Sequence, residues 1–194
     1  MNRKALLLIS GFVEGGLALL GLVLMRNSGL ALSSRFDASW SGSAFALLFC
    51  APLLLGLYLV LRSRWAPLVR FNEEVVASIR PIFTNCRVPD LLLIACLAGF
   101  GEELFFRGWL QGVLSVRFGT LAGIVIASAI FGAVHYLSAG YALYAGLTGL
   151  YLGAIYQVFG NLYIVMGLHA LYDFIALVIL VGRQERPDLG PLGT

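Results

Sequence analysis

Apolar residues run almost unbroken through this chain, and polar positions gather in short gaps between the runs. Six runs, at residues 5–25, 44–62, 90–114, 119–137, 141–158 and 162–181, approach the roughly 20 residues a helix needs to cross the hydrocarbon core of a bilayer. The pattern predicts an all-α polytopic membrane bundle of about six transmembrane helices. The first run follows Arg3 and Lys4 as a signal peptide would, but it is long and no small-x-small cleavage site follows, so it reads as a retained span. Between the second and third runs the period changes. From Ala66 to Arg80, Leu68, Phe71, Val75 and Ile79 share one helical face, while Arg70, Glu73, Glu74 and Arg80 lie elsewhere. Two placements fit this amphipathic helix: on the cytoplasmic surface of the membrane, or packed as a connector against the bundle.

Composition agrees with the pattern. Of 194 residues, 60% are hydrophobic and 12% charged, against the roughly one-quarter charged share of soluble domains. Mean hydropathy is +0.91. A net charge of +3 with a single lysine, Lys4, gives no basic patch for nucleic acid, and that partner class is set aside. Cys50, Cys86 and Cys96 have no metal-ligand spacing and read as small apolar residues rather than a disulfide framework. With no Pro/Ser-rich linker, low-complexity tract or internal repeat, residues 1–194 read as a single integral membrane domain.

The basic residues outside the runs set an expected orientation. Arg3, Lys4, Arg62, Arg64, Arg70, Arg80, Arg87, Arg183 and Arg186 fall on one side, and Arg26, Arg35 and Arg117 on the other. By the positive-inside rule, both termini are expected in the cytoplasm. Glycines four apart, Gly11/Gly15, Gly108/Gly112, Gly119/Gly123 and Gly149/Gly153, are expected to let helix backbones approach closely. They predict a bundle and carry no chemistry.

Chemistry enters with seven ionisable residues inside the runs: Glu14, Glu102, Glu103, Arg107, His135, His169 and Asp173. Charges at bilayer depth cost several kcal/mol and face a protein interior or a water-filled cavity. Glu103 and Arg107, four apart, share a helix face and can neutralise each other, while Glu102 is turned about 100 degrees away and stays available. His135 follows Phe131 by one turn, and Asp173 follows His169 by the same spacing. At about 1.5 Å of rise per residue, Glu102 and His135 lie roughly 18 to 24 Å deep and His169 and Asp173 roughly 10 to 17 Å, compatible with one shared cavity. A glutamate and an imidazole there can move protons to and from water, and a second imidazole can donate to a developing oxyanion. Glu14 stands apart from these clusters; a hydrogen bond to a neighbouring helix is its expected role, with cavity lining as the alternative.

The three clusters, Glu102-Glu103-Leu104-Phe105-Phe106-Arg107, Phe131 to His135 and His169 to Asp173, resemble the EExxxR, FxxxH and HxxxN/D motifs of the CPBP intramembrane proteases, the CAAX protease and bacteriocin-processing family. The resemblance covers a four-helix catalytic core at about 91–181. It implies an endopeptidase in which Glu102 and His135 activate water, His169 and the residue at 173 stabilise the oxyanion, and Glu103 and Arg107 complete the site. Family members have been described both as metalloproteases and as metal-free glutamate-type proteases. The metal-free form is favoured here, since no HExxH signature is present; zinc on His135, His169 and a carboxylate is the alternative. An ionised Asp173 accepts hydrogen bonds only, so where other members have an amide it is expected to orient or charge His169. Membrane lipid and a peptide or protein with a membrane-associated segment are the expected partners, with bacterial peptides and C-terminal anchors ranked above prenylated proteins. A non-catalytic bacteriocin-immunity or partner-binding protein of the same fold is the main alternative, and a proton path the other.

Overall fold

A computed structural model describes residues 2–182. The elements of the described residues are all helical, in the order α1 (Arg3–Asn27), α2 (Trp40–Arg62), α3 (Ala66–Phe83), α4 (Val88–Glu103), a π-helical segment (Leu104–Gln111), α5 (Gly112–Phe118), α6 (Thr120–Val134), α7 (Ala139–Phe159) and α8 (Leu162–Gly182), with a 3₁₀ turn at Leu32–Ser34. The expected polytopic helical bundle is what forms. Helix starts follow local chemistry: Asn2, Ser39 and Ser138 each accept a backbone N–H of the first turn through a side-chain oxygen. Gly160, at φ 62°, ends α7 in the left-handed conformation that a side chain resists.

Four helices, α1, α2, α7 and α8, are each long and apolar enough to cross a membrane, and α6 is apolar but shorter. Their outer faces present Phe12, Leu8, Leu121 and Val158, each at least three-quarters exposed, as suits a lipid-facing surface. The expected run at 90–114 is a composite helix from Val88 to Phe118, whose middle eight residues take the wider π turn. The run expected to reach 137 ends at Val134, because His135 serves as the C-cap of α6. Arg183 and Arg186, counted toward orientation, lie outside the described residues.

The core lies where α4 packs on α8 and α1, α2 on α8, and α6 on α7. Met25, Leu104, Leu152, Leu162, Val165 and Leu168 are almost wholly buried there. Close crossings occur at glycines, though not at every expected pair. A Cβ on Gly99 would lie 2.8 Å from the Ala170 nitrogen, one on Gly21 would lie 2.9 Å from the Leu104 carbonyl carbon, and one on Gly101 would collide with the Glu14 carbonyl oxygen. Gly11 and Gly15 instead face open space, which corrects the expectation for that pair. Four-residue spacing makes a groove, but the rotation of α1 about its axis decides what fills it. Gly149 and Gly153 do pack closely, Gly149 against Ser128 and the Arg107 guanidinium and Gly153 against the Gln111 side chain.

Helix α3 packs on the bundle. Phe71 meets the Tyr144 ring at 5.8 Å and sits against Gly140, so the amphipathic segment covers one end of α7 and α8.

Candidate functional site

Glu102 and Glu103 are adjacent at the end of α4, and the helix turn sends them to different partners. Glu103 is fully buried; its Oε1 accepts from Arg107 Nη1 at 2.8 Å. The same oxygen lies 2.8 Å from His169 Nδ1 on α8. Arg107 also donates to the Gly149 carbonyl at 3.1 Å, and one turn on Gln111 donates to the Gly153 carbonyl at the same distance. The π-helical segment therefore keeps Glu103, Arg107 and Gln111 all turned inward, and π turns of this kind recur at functional sites.

Glu102 faces the two imidazoles. Its Oε1 lies 3.6 Å from His135 Nε2 and its Oε2 lies 3.9 Å from His169 Nε2, contact distances rather than direct hydrogen bonds. Glu102 Oε2 is buried with no hydrogen-bond partner.

Each ring is oriented through its other nitrogen. His135 Nδ1 is 2.8 Å from the Phe131 carbonyl oxygen, which assigns it the proton and leaves Nε2 toward Glu102. His169 Nδ1 faces Glu103, so Asp173, whose Oδ2 is 3.4 Å from His169 Nε2, stands on the working side of the ring and not behind it. Two carboxylates thus flank the His169 ring, Glu103 at Nδ1 and Asp173 at Nε2. Phe131 fills the space between these groups, with Arg107 over its ring at 4.7 Å and the ring centroids of His135 and His169 at 4.4 and 6.1 Å.

Residues 84–175, which carry all three clusters, match the model of the family described as type II CAAX prenyl endopeptidase Rce1-like. This segment belongs to the CPBP family. YpbD of Bacillus subtilis (strain 168), an uncharacterized protein, is 34% identical over 116 residues, which cover 58% of this chain and 56% of that relative. The chain thus spans about half the length of the curated relative it matches. No solved structure matches.

Outside the CPBP segment, α1, α2 and α3 complete the surroundings of the site. A cavity of about 350 Å³ runs beside it, with Leu57, Leu61, Val75 and Ile79 among its apolar walls and Glu14, Asp173 and Tyr141 at its polar end. Glu14 lines this cavity, and its Oε2 is buried without a hydrogen-bond partner, which overturns the expected bond to a neighbouring helix. Its position follows from Gly101, whose missing side chain lets the Glu14 backbone rest on α4 next to Glu102. Tyr141, Tyr144 and Tyr172, which no sequence motif marks, also line this cavity.

A metal must be tested against the donors present. Among the described residues, no three His, Cys, Asp or Glu side chains are arranged to hold a metal ion. Both Nδ1 atoms of the CPBP segment's histidines are committed, to Glu103 and to the Phe131 carbonyl. Their Nε2 atoms both face Glu102, and the steps assigned to this site use only carboxyl and imidazole groups of the chain.

Proposed function

We propose that the chain is an intramembrane endopeptidase that hydrolyses a peptide bond in a membrane-associated peptide or protein, using water activated by Glu102 and His135. The observation that carries this reading is the placement of one buried, unpartnered carboxylate oxygen of Glu102 against an imidazole, with a second imidazole facing its other oxygen. Membership of a family named for an endopeptidase supports the same class.

In this reading a water held by Glu102 and His135 Nε2 loses a proton to the carboxylate as its oxygen attacks the scissile carbonyl. His169, as an imidazolium whose Nδ1–H is held by Glu103, presents its Nε2–H to the oxygen that gains charge. Collapse of the tetrahedral species breaks the C–N bond, and the proton passes from Glu102, directly or through His135 Nε2, to the leaving amine. Glu103 and Arg107 are positioning residues. The apolar cavity walls suit a substrate segment drawn from the bilayer, with bacterial peptides and C-terminal anchor segments ranked above prenylated proteins.

The test is cleavage of a quenched-fluorescent peptide library, rich in apolar residues, by purified protein in proteoliposomes, with fragments identified by mass spectrometry. Wild type is expected to cleave and Glu102→Ala, at equal folded yield, to lose at least about 1,000-fold, in the range seen when an activating base is removed. Equal cleavage by the two proteins sinks the assignment.

A further inference from the structure

Resting on that reading, we infer that Tyr141 is a further catalytic residue, donating its phenolic proton to the oxyanion beside His169. Peptide hydrolysis places negative charge on the former carbonyl oxygen, and a water-poor site must supply donors for it. The imidazolium of His169, its Nδ1–H held by Glu103, offers one at Nε2. Asp173, which flanks that nitrogen at 3.4 Å, has no N–H and as a carboxylate only accepts. A second donor must therefore come from elsewhere on the cavity wall.

The side-chain donors lining the cavity are Ser10, Asn72, Tyr141, Tyr144 and Tyr172. Ser10 sits one helical turn from Glu14 toward the start of α1, and Asn72 lies on α3 across the cavity. Tyr144 and Tyr172 bond to each other through their hydroxyls. Tyr141 is different. Its hydroxyl makes no hydrogen bond within the described residues, and the groups that act on it electrostatically are Asp173, Tyr144 and Glu102. It is thus a free donor on the wall of the cavity that Asp173 also lines.

Its backbone is held in place. Tyr141 is the third residue of α7, and its N–H donates to the N-cap Ser138 Oγ at 3.3 Å. Its ring lies 6.4 Å from the Tyr144 ring, which Phe71 of α3 covers in turn. Tyr141 thus lines the cavity from the capped first turn of α7, which fixes its backbone as a preorganised donor requires.

The experiment uses whichever library peptide wild type cleaves fastest, in proteoliposomes, with four proteins: wild type, Tyr141→Phe, Asp173→Asn and the double variant. Tyr141→Phe removes only the hydroxyl. It is expected to lower kcat about 100-fold with KM changed less than about threefold. Asp173→Asn places an amide donor beside His169, so in that background the same change is expected to cost less than about tenfold. Equal losses in the two backgrounds, or a loss confined to KM, overturn the donor role and leave the protease reading standing. Absence of cleavage by wild type overturns both. Melting temperatures of all four proteins in detergent are expected to agree within a few degrees; a large drop in Tyr141→Phe assigns its loss to packing and rejects the proposal.

Discussion

Glu103 and His169, 66 residues apart in the chain, meet through Oε1 and Nδ1 at 2.8 Å. The same oxygen takes Arg107 Nη1 at an equal distance, so one carboxylate neutralises a buried guanidinium and fixes a ring that faces Glu102. Stability and site geometry are thereby tied to a single atom.

Arg107→Ala leaves Glu103 buried without its cation. A cost of about 3–5 kcal/mol is expected for breaking such a pair from one side. Thermal unfolding in detergent checks this, and a melting temperature equal to wild type would show that the pair does not hold the fold.

Glu103→Gln keeps an acceptor toward His169 Nδ1 and removes the charge opposite Arg107. Loss of a partner that orients a functional histidine is expected to lower activity about 10- to 100-fold. The peptide-cleavage assay and a melting curve read the two consequences separately. Activity at the wild-type level would place the orientation of His169 elsewhere.

Gly101→Ala forces a methyl group against the Glu14 carbonyl oxygen, where α1 crosses α4. Overpacking of this kind costs about 1–3 kcal/mol and moves α1 outward. Since Glu14 lies at this crossing, an engineered cysteine at position 14 should react faster with a small polar maleimide in the Gly101→Ala background. An unchanged labelling rate and melting temperature would mean the crossing yields without cost.

Chelator treatment is expected to leave peptide cleavage unchanged, because the steps assigned here use only carboxyl and imidazole groups of the chain. Elemental analysis of active protein gives the complementary reading. One zinc per chain, with activity lost to chelator and restored by zinc, would replace the metal-free scheme.

Much of this was legible along the chain. Apolar runs specified a helical membrane bundle because an unpaired backbone group cannot stand in lipid, and a helix pairs its own. The ionisable residues announced themselves by their cost at that depth, and spacing alone paired Glu103 with Arg107 and set Glu102 apart. Glu14 was conspicuous for the same reason, yet its neighbours were not, since they lie on other helices.

What the amino-acid order determined by itself was therefore which chemical groups enter the membrane, on which helices, and which lie one turn apart. Only tertiary structure decided which carboxylate serves which imidazole nitrogen, that Asp173 flanks Nε2 while Glu103 takes Nδ1, and that α3 covers the cavity. The reason is geometric. Periodicity fixes angles about one helix axis, whereas contacts between helices depend on how closely and at what rotation the axes cross. Those crossings are set by single positions such as Gly99 and Gly101, where a missing side chain admits a neighbouring backbone.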